Sequence, residues 1–96
     1  MANYKLAAAA EADVEAIYAY SEQAFGLNQT EKYMAGLGQL LEKLADIPRM
    51  GQNADDLRPG LFRFRYQSHM VFYTIERDHI AVRRILHARA DFPSHL

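Results

Sequence analysis

The sequence predicts an α+β domain with the element order β-α-α-β-β-β, in which an antiparallel helix hairpin packs on a small antiparallel sheet. Apolar residues recur at helical spacing in two segments between residues 8 and 47, and the period changes to two after residue 61. Residues 48–60, between these regions, are rich in turn-forming side chains. At 96 residues, half of them hydrophobic (50%), the chain is long enough for one core, so we expect a single domain over residues 1–96.

The first helix follows a short strand, which the sequence places at residues 4–7. Asp13 and the acidic residues two positions before and after it, Glu11 and Glu15, suit the positive N-terminal end of a helix. We expect this helix to end at Phe25, with Gly26 as its left-handed terminator. The residues predicted to form its buried stripe are Ala10, Val14, Ile17, Tyr18 and Phe25.

The second helix carries the strongest helical periodicity in the sequence. Asn28 and Glu31 have the spacing of a capping box, so we expect the helix to begin at Asn28. It should end before Pro48. Two glycines inside it, Gly36 and Gly38, are unfavourable in a helix unless they let the two helices approach closely.

The remaining chain alternates like strands. In the segment 61–66 the aromatic residues Phe62, Phe64 and Tyr66 should point to one face, with two arginines on the other. Residues 70–75 are almost continuously apolar, as in a central strand that is covered on both faces. In the last strand, 80–87, Arg84 is two residues from both Val82 and Leu86, so a regular strand would place it on their apolar face. Either a bulge breaks the alternation there or Arg84 points among apolar neighbours.

Charge is distributed unevenly along the chain, although the net charge is only -1. Residues 1–56 hold four basic and nine acidic side chains, whereas residues 57–96 hold seven arginines, three acids and all four histidines. Arginine makes planar, forked contacts with carboxylates and phosphates, so this half suits a binding surface; a solvated sheet face explains the same pattern.

Several functional classes have little basis in the sequence. The chain has no cysteine, which excludes disulfides, thiolate metal sites and cysteine nucleophiles. Its longest apolar run, residues 6–10, is too short to cross a bilayer, and no basic segment precedes it, so we expect a cytoplasmic protein without a membrane anchor. His87, Asp91 and His95 would share a face of a helix as metal ligands, but Pro93 argues against that helix. We predict no metal site and no cofactor.

The order and spacing of several short segments resemble the ParE toxins of type II toxin–antitoxin systems, in the RelE/ParE superfamily. The C-terminal segments are Leu57-Arg58-Pro59-Gly60-Leu61, Phe72-Tyr73, Arg84-Ile85-Leu86-His87, Asp91 and His95-Leu96. The helical half contributes Asp13-Val14-Glu15-Ala16-Ile17, Phe25-Gly26 and Leu44-Ala45. The resemblance therefore covers nearly the whole chain.

The resemblance implies a toxin that poisons DNA gyrase by protein–protein binding, by stabilising the cleaved DNA complex of gyrase. It also implies neutralisation by a ParD-like antitoxin in a hetero-oligomer, with no catalytic residue and no sequence-specific nucleic-acid contact. The related RelE toxins cleave messenger RNA on the ribosome, which is the alternative function. In that case the catalytic candidates would be Arg65, Arg84, His87 and Arg89.

Two sets of side chains are candidates for binding. We expect the C-terminal tail, residues 88–96, to dock on the domain through Phe92 and Leu96 and to present arginines to the target; alternatively, these two residues only cover the core. The predicted target-binding residues are Arg84, His87, Arg89, Phe92 and His95. The predicted antitoxin-binding residues are Tyr18, Tyr20, Tyr33, Phe62, Phe64, Arg63 and Arg65.

Overall fold

The computed structural model describes residues 3–96, so Met1 and Ala2 of the predicted domain lie outside the described part. The strands are β1 (Tyr4–Leu6), β2 (Gln52–Asn53), β3 (Leu61–Tyr66), β4 (His69–Ile75) and β5 (Ile80–His87). The helices are α1 (Ala8–Phe25), α2 (Leu27–Asp46) and α3 (Phe92–His95), with a 3-10 helix at Pro48–Met50. The α+β class and the helix hairpin are confirmed. Among residues 3–96, no helix is long and apolar enough to span a bilayer.

The five strands form one sheet in the order β1-β5-β4-β3-β2. β2 to β5 pair in antiparallel fashion, whereas β1 runs parallel to β5. The two helices carry the chain from β1 at one edge to β2 at the other, and three successive reversals then bring β5 back beside β1. β2 lies inside the predicted loop, because its two residues are too few to give a periodic signal.

The main core lies between the helix hairpin and the sheet. Val71, Tyr73 and Val82 face the helices and are fully buried beside Leu37 and Leu44 of α2. The prediction that Phe25 and Tyr18 belong to the buried stripe of α1 is wrong, because their side chains are 58% and 37% exposed. Phe25 ends α1 at the hairpin turn, where it lines a pocket instead of packing on the sheet.

The predicted start of α2 also needs correction. The helix begins at Leu27, so Asn28 lies inside its first turn, and Gly26 with φ of 88° joins the two helices directly. Thr30 Oγ1 hydrogen-bonds to the Gly26 carbonyl at 2.8 Å and to Ser21 Oγ at 3.0 Å. Thr30, inside the helix, therefore stabilises the turn between the helices, whereas the capping-box pattern predicted that Asn28 stabilises the start of α2.

The two helix glycines differ from the prediction in what they approach. A Cβ on Gly36 would collide with the hydroxyl of Tyr66 in β3, whereas Gly38 faces open space. Tyr66 Oη instead donates a hydrogen bond to the Tyr33 carbonyl at 2.8 Å. Gly36 thus lets a tyrosine of the sheet approach the backbone of α2.

A second, smaller core lies on the opposite face of the sheet. Leu61, Phe72 and Leu86 are buried there, which confirms that the central strand β4 is covered on both faces. The loop before β3 covers one side of this cluster through Leu57, and the C-terminal tail covers the other. The predicted docking of the tail through Phe92 and Leu96 is therefore present.

Candidate functional site

A β-bulge shapes the end of β5. Phe72 pairs with Arg84, but the next residue of β4, Tyr73, pairs with Val82, so Arg83 is an extra residue in β5. Of the two alternatives for Arg84, the structure shows the bulge. Because the bulge reverses the alternation, Ile85 returns to the main core and Leu86 enters the second core.

Arg84 is held by Asp13 of α1. Its Nε and Nη2 donate to the two carboxylate oxygens of Asp13 at 2.8 and 2.9 Å, and the backbone N–H of Ile85 donates to the same carboxylate at 2.9 Å. The side chains of Arg84 and Asp13 are only 23% and 13% exposed. The hydrogen bond to Asp13 raises the pKa of Arg84. This is a forked, charge-assisted contact that fixes β5 to α1.

The same arginine reaches the C-terminal tail. Arg84 Nη1 donates to the carbonyl of His95 at 3.1 Å. Phe92 packs edge-to-face on Phe72 with ring centroids 4.9 Å apart, and Leu96 joins the same cluster. The tail is therefore held by an apolar anchor on one side and by Arg84 on the other.

Two exposed residues lie where β5 meets the tail. His87 ends the strand, and the backbone N–H of Arg89 donates to its Nδ1 at 3.1 Å. The side chains of both residues are exposed, as is that of His95. The five predicted target-binding residues thus lie together around this junction, with Arg84 and Phe92 facing inward and the other three outward.

A pocket of about 360 Å³ opens beside His87, between the helix hairpin and the β3–β4 turn. His69 and His87 both line it, with their rings in edge contact at 5.6 Å between centroids. Tyr33 Oη lies 2.6 Å from His69 Nδ1. Burial lowers the pKa of His69, and the neighbouring His87 lowers it further. Both effects favour the neutral form of His69.

The outer wall of the pocket is aromatic. Tyr20 is 68% exposed and Phe25 is 58% exposed, and both line the opening. Leu27, next to them at the hairpin turn, is 49% exposed. An exposed apolar group of this kind beside a pocket is typical of a surface that a partner covers.

The predicted antitoxin-binding residues do not form a single surface. Tyr18 and Tyr20 are exposed on α1, while Tyr33 is half-buried on α2. Phe62 and Phe64 face the helices and pack against the main core. Arg63 and Arg65 alternate with them and therefore point to the opposite face of the sheet. Arg65 Nε donates to the carbonyl of Gln67, another pocket residue, at 2.6 Å.

Two residues of the site were missed in the sequence. His69 shares strand parity with the buried Val71 and Tyr73, which would have placed it under α2. Asp13 lies one helical turn from Ala10 and Ile17, which would have placed its carboxylate at the margin of the buried stripe. Neither pattern identifies the partner, because Tyr33 is 36 residues from His69 and Arg84 is 71 residues from Asp13.

A comparison with models of protein families identifies the family to which the chain belongs. The model of the ParE toxin of the type II toxin–antitoxin system parDE matches residues 4–92. The chain belongs to the ParE toxin family. The resemblance inferred from the short segments is confirmed.

Relatives within the family match along the whole chain. The protein is 36% identical to Toxin ParE1 of Caulobacter vibrioides over 96 residues, covering 100% of this chain and 99% of the relative. It is 34% identical to Toxin ParE1 of Mycobacterium tuberculosis over 94 residues, covering 97% and 96%. A solved structure described as the chromosomal ParDE TA system from P. aeruginosa has a TM-score of 0.78 at 19% identity, covering 91% of this chain and 96% of that one. The structural likeness shows a shared fold.

Proposed function

We propose that this ParE-family toxin poisons DNA gyrase by protein–protein binding and is neutralised by a ParD-like antitoxin. The observation that carries the proposal is the docked C-terminal tail, which is anchored internally and displays His87, Arg89 and His95 on one exposed junction. A fixed backbone lowers the entropy cost of binding a large target. We place the action in the cytoplasm, where gyrase works on DNA.

The internal contacts of Arg84 favour binding over catalysis. A ribonuclease of the RelE type would need cations to hold the scissile phosphate. Arg84 uses three nitrogens in contacts with Asp13 and the His95 carbonyl, and Arg65 uses Nε on the Gln67 carbonyl. Arg84 would have to leave these partners to contact RNA, whereas Arg65 is exposed and keeps both Nη groups for a further contact.

The antitoxin is proposed to be acidic and amphipathic. The arginine-rich half of the chain attracts negative charge, and the aromatic side chains at the hairpin turn offer apolar area. A structural neighbour is itself described as a ParDE system, which supports a partnership of this kind. Tyr20, Arg63 and Arg65 remain proposed contacts. Phe62 and Phe64 can contribute only through the part of each ring that the core leaves exposed.

A supercoiling assay with purified gyrase tests the proposed target. Addition of the protein should inhibit supercoiling and accumulate cleaved DNA. Pre-incubation with the candidate antitoxin, meaning a co-expressed protein encoded by the reading frame next to that of the toxin (the neighbouring-frame protein), should abolish both effects. A heat-denatured sample is the matched control. Full supercoiling at a large excess of the folded protein would contradict the proposal.

The ribonuclease function remains a second candidate because two imidazoles meet in the pocket. His69 and His87 could act as base and acid around a 2′-hydroxyl, with Arg65 bound to the carbonyl of the pocket residue Gln67. Translated messenger RNA should then be cleaved by the wild-type protein and not by His87→Ala. If the translated messenger RNA stays intact, protein–protein binding remains the proposed function.

A further inference from the structure

We propose that the pocket between α1, α2 and the β3–β4 turn binds a carboxylate, through ring N–H groups of His69 and His87. The occupant is the side chain of an aspartate or glutamate of the antitoxin, with an adjacent apolar residue against the aromatic wall. This inference rests on the proposed function, because it assigns one contact of the antitoxin to one site.

The hydrogen bond to His87 fixes its tautomer. The donor is the backbone N–H of Arg89, which cannot act as an acceptor, so His87 Nδ1 must carry the lone pair. The ring proton of His87 therefore lies on Nε2. Nε2 of His87 is thus an N–H donor that the Arg89 backbone does not contact.

The contacts of Tyr33 favour the same tautomer for His69. Tyr33 Oη lies 2.6 Å from His69 Nδ1, whereas its other acceptors, Ser68 Oγ and the Tyr66 carbonyl, lie at 3.3 and 3.5 Å. The hydroxyl proton is best used in the shortest contact, so Tyr33 donates to Nδ1. The remaining proton of His69 is then on Nε2. Two imidazoles that line one pocket thus each keep an Nε2–H donor.

None of the described residues that line the pocket is acidic, so the two ring N–H donors suit the binding of an anion. Asp13 lies close enough to act on His69, but its carboxylate is bound by Arg84 and Ile85. The Ser68 hydroxyl and the amide of Gln67 are further polar groups of the lining. Arg65 is the cation bound to this lining, since its Nε donates to the carbonyl of Gln67. Hydrogen bonds to an ionised acceptor are stronger than those between neutral groups.

The shape of the pocket selects the kind of carboxylate. Tyr20 and Phe25 form an exposed aromatic wall on one side, and Ile17 adds an apolar floor. A free inorganic anion would leave this wall uncovered. An acidic residue next to an apolar one would satisfy both the donors and the wall, which fits an acidic amphipathic segment.

The first experiment uses 3-phenylpropionate as the probe and 3-phenylpropanamide as its neutral, nearly isosteric control. Imidazole ¹⁵N signals of the folded protein at pH 7.5 should shift on titration with the acid, with a dissociation constant on the order of 1 mM. The amide should cause no comparable shift. Equal effects of acid and amide, or binding of inorganic phosphate alone, would overturn the proposal without any variant being needed.

Variants locate the contact and separate the pocket from the proposed function. His69→Phe and His87→Phe keep a ring but remove the donors, so each should weaken binding of the co-purified antitoxin by at least about tenfold. His79→Phe is the control and should keep wild-type affinity, because His79 precedes β5 at the end of the strand opposite His87. Unchanged affinity in both pocket variants would overturn the inference while the antitoxin partnership stands. If the neighbouring-frame protein does not bind the wild type, the proposed function is overturned instead. The titration with 3-phenylpropionate alone would then show whether the pocket binds a carboxylate.

Discussion

The contact between Asp13 and Arg84 offers a quantitative test of how the tail is held. Asp13 accepts three hydrogen bonds, two from the guanidinium and one from the Ile85 N–H. Both side chains are mostly buried, at 13% and 23% exposed. Replacement of Asp13 by alanine therefore leaves a cation and a backbone donor without their acceptor.

The magnitude follows from this geometry. Breaking a fully buried ion pair costs about 3 to 5 kcal/mol, and an exposed pair about 0 to 1 kcal/mol. Since these groups keep some contact with water, we expect Asp13→Ala to lower the free energy of unfolding by about 2 to 4 kcal/mol. For a domain of this size that corresponds to a decrease of roughly 10 to 25 °C in Tm.

A double-mutant cycle isolates the pair itself. Asp13→Ala, Arg84→Ala and the double variant are compared by urea unfolding followed by circular dichroism, with Glu15→Ala, an exposed acid on the same helix, as the control. We expect a coupling energy of about 1.5 to 3 kcal/mol between Asp13 and Arg84. A coupling below about 0.5 kcal/mol would show that the pair behaves like a surface ion pair, and the anchoring role of Arg84 would be refuted.

Three further changes have distinct expected outcomes. Gly36→Ala should destabilise the protein because its Cβ meets the Tyr66 hydroxyl, while Gly38→Ala should stabilise it by about 0.5 to 1 kcal/mol; thermal unfolding compares the two. Because the pKa of His69 is lowered in the folded state, the unfolded chain binds a proton at His69 more readily. The contribution of neutral His69 to the free energy of unfolding should therefore be fully present above about pH 6.5 and decrease below it. His69→Gln should flatten this pH dependence, measured as urea midpoints between about pH 7.5 and 5.5. Phe92→Ala should cost about 2 to 3 kcal/mol, less than a fully buried aromatic, by the same unfolding assay.

Most of the fold could be predicted because it depends on local patterns. The periodicity of α2 and of the strands reflects which side chains must leave water, and this signal is carried by each segment alone. The start of α2 was misjudged because two patterns competed there. Asn28 and Glu31 have the right spacing for a cap, but the buried pair of Ser21 and Thr30 closes the turn one residue earlier.

The candidate site was predicted only in part, since its contacts join distant residues. Arg84 attracted notice because it interrupts an apolar strand, yet its partner lies 71 residues away. The Tyr33–His69 contact spans 36 residues and gives no local signal. Residues that stand out by violating a pattern can therefore be found in the sequence, whereas their partners require the fold.

Arg84 and Arg89, which the sequence groups as target-binding residues, differ in their surroundings. Arg89 is exposed and Arg84 is held internally, so loss of toxicity has a different meaning in each case. If the tail contacts the target directly, Arg89→Ala should abolish growth inhibition in cells without the antitoxin, with Tm within about 2 °C of wild type, because an exposed charge contributes little to stability.

Arg84→Ala should reduce growth inhibition together with stability, since it releases both Asp13 and the His95 carbonyl. Arg84→Lys tests this reasoning, because lysine keeps the charge but cannot form the forked contact with Asp13. It should therefore resemble Arg84→Ala in Tm and in toxicity. Full toxicity in Arg89→Ala, or wild-type stability in Arg84→Lys, would show that the tail contacts its target through other residues or is held by Phe92 and Leu96 alone.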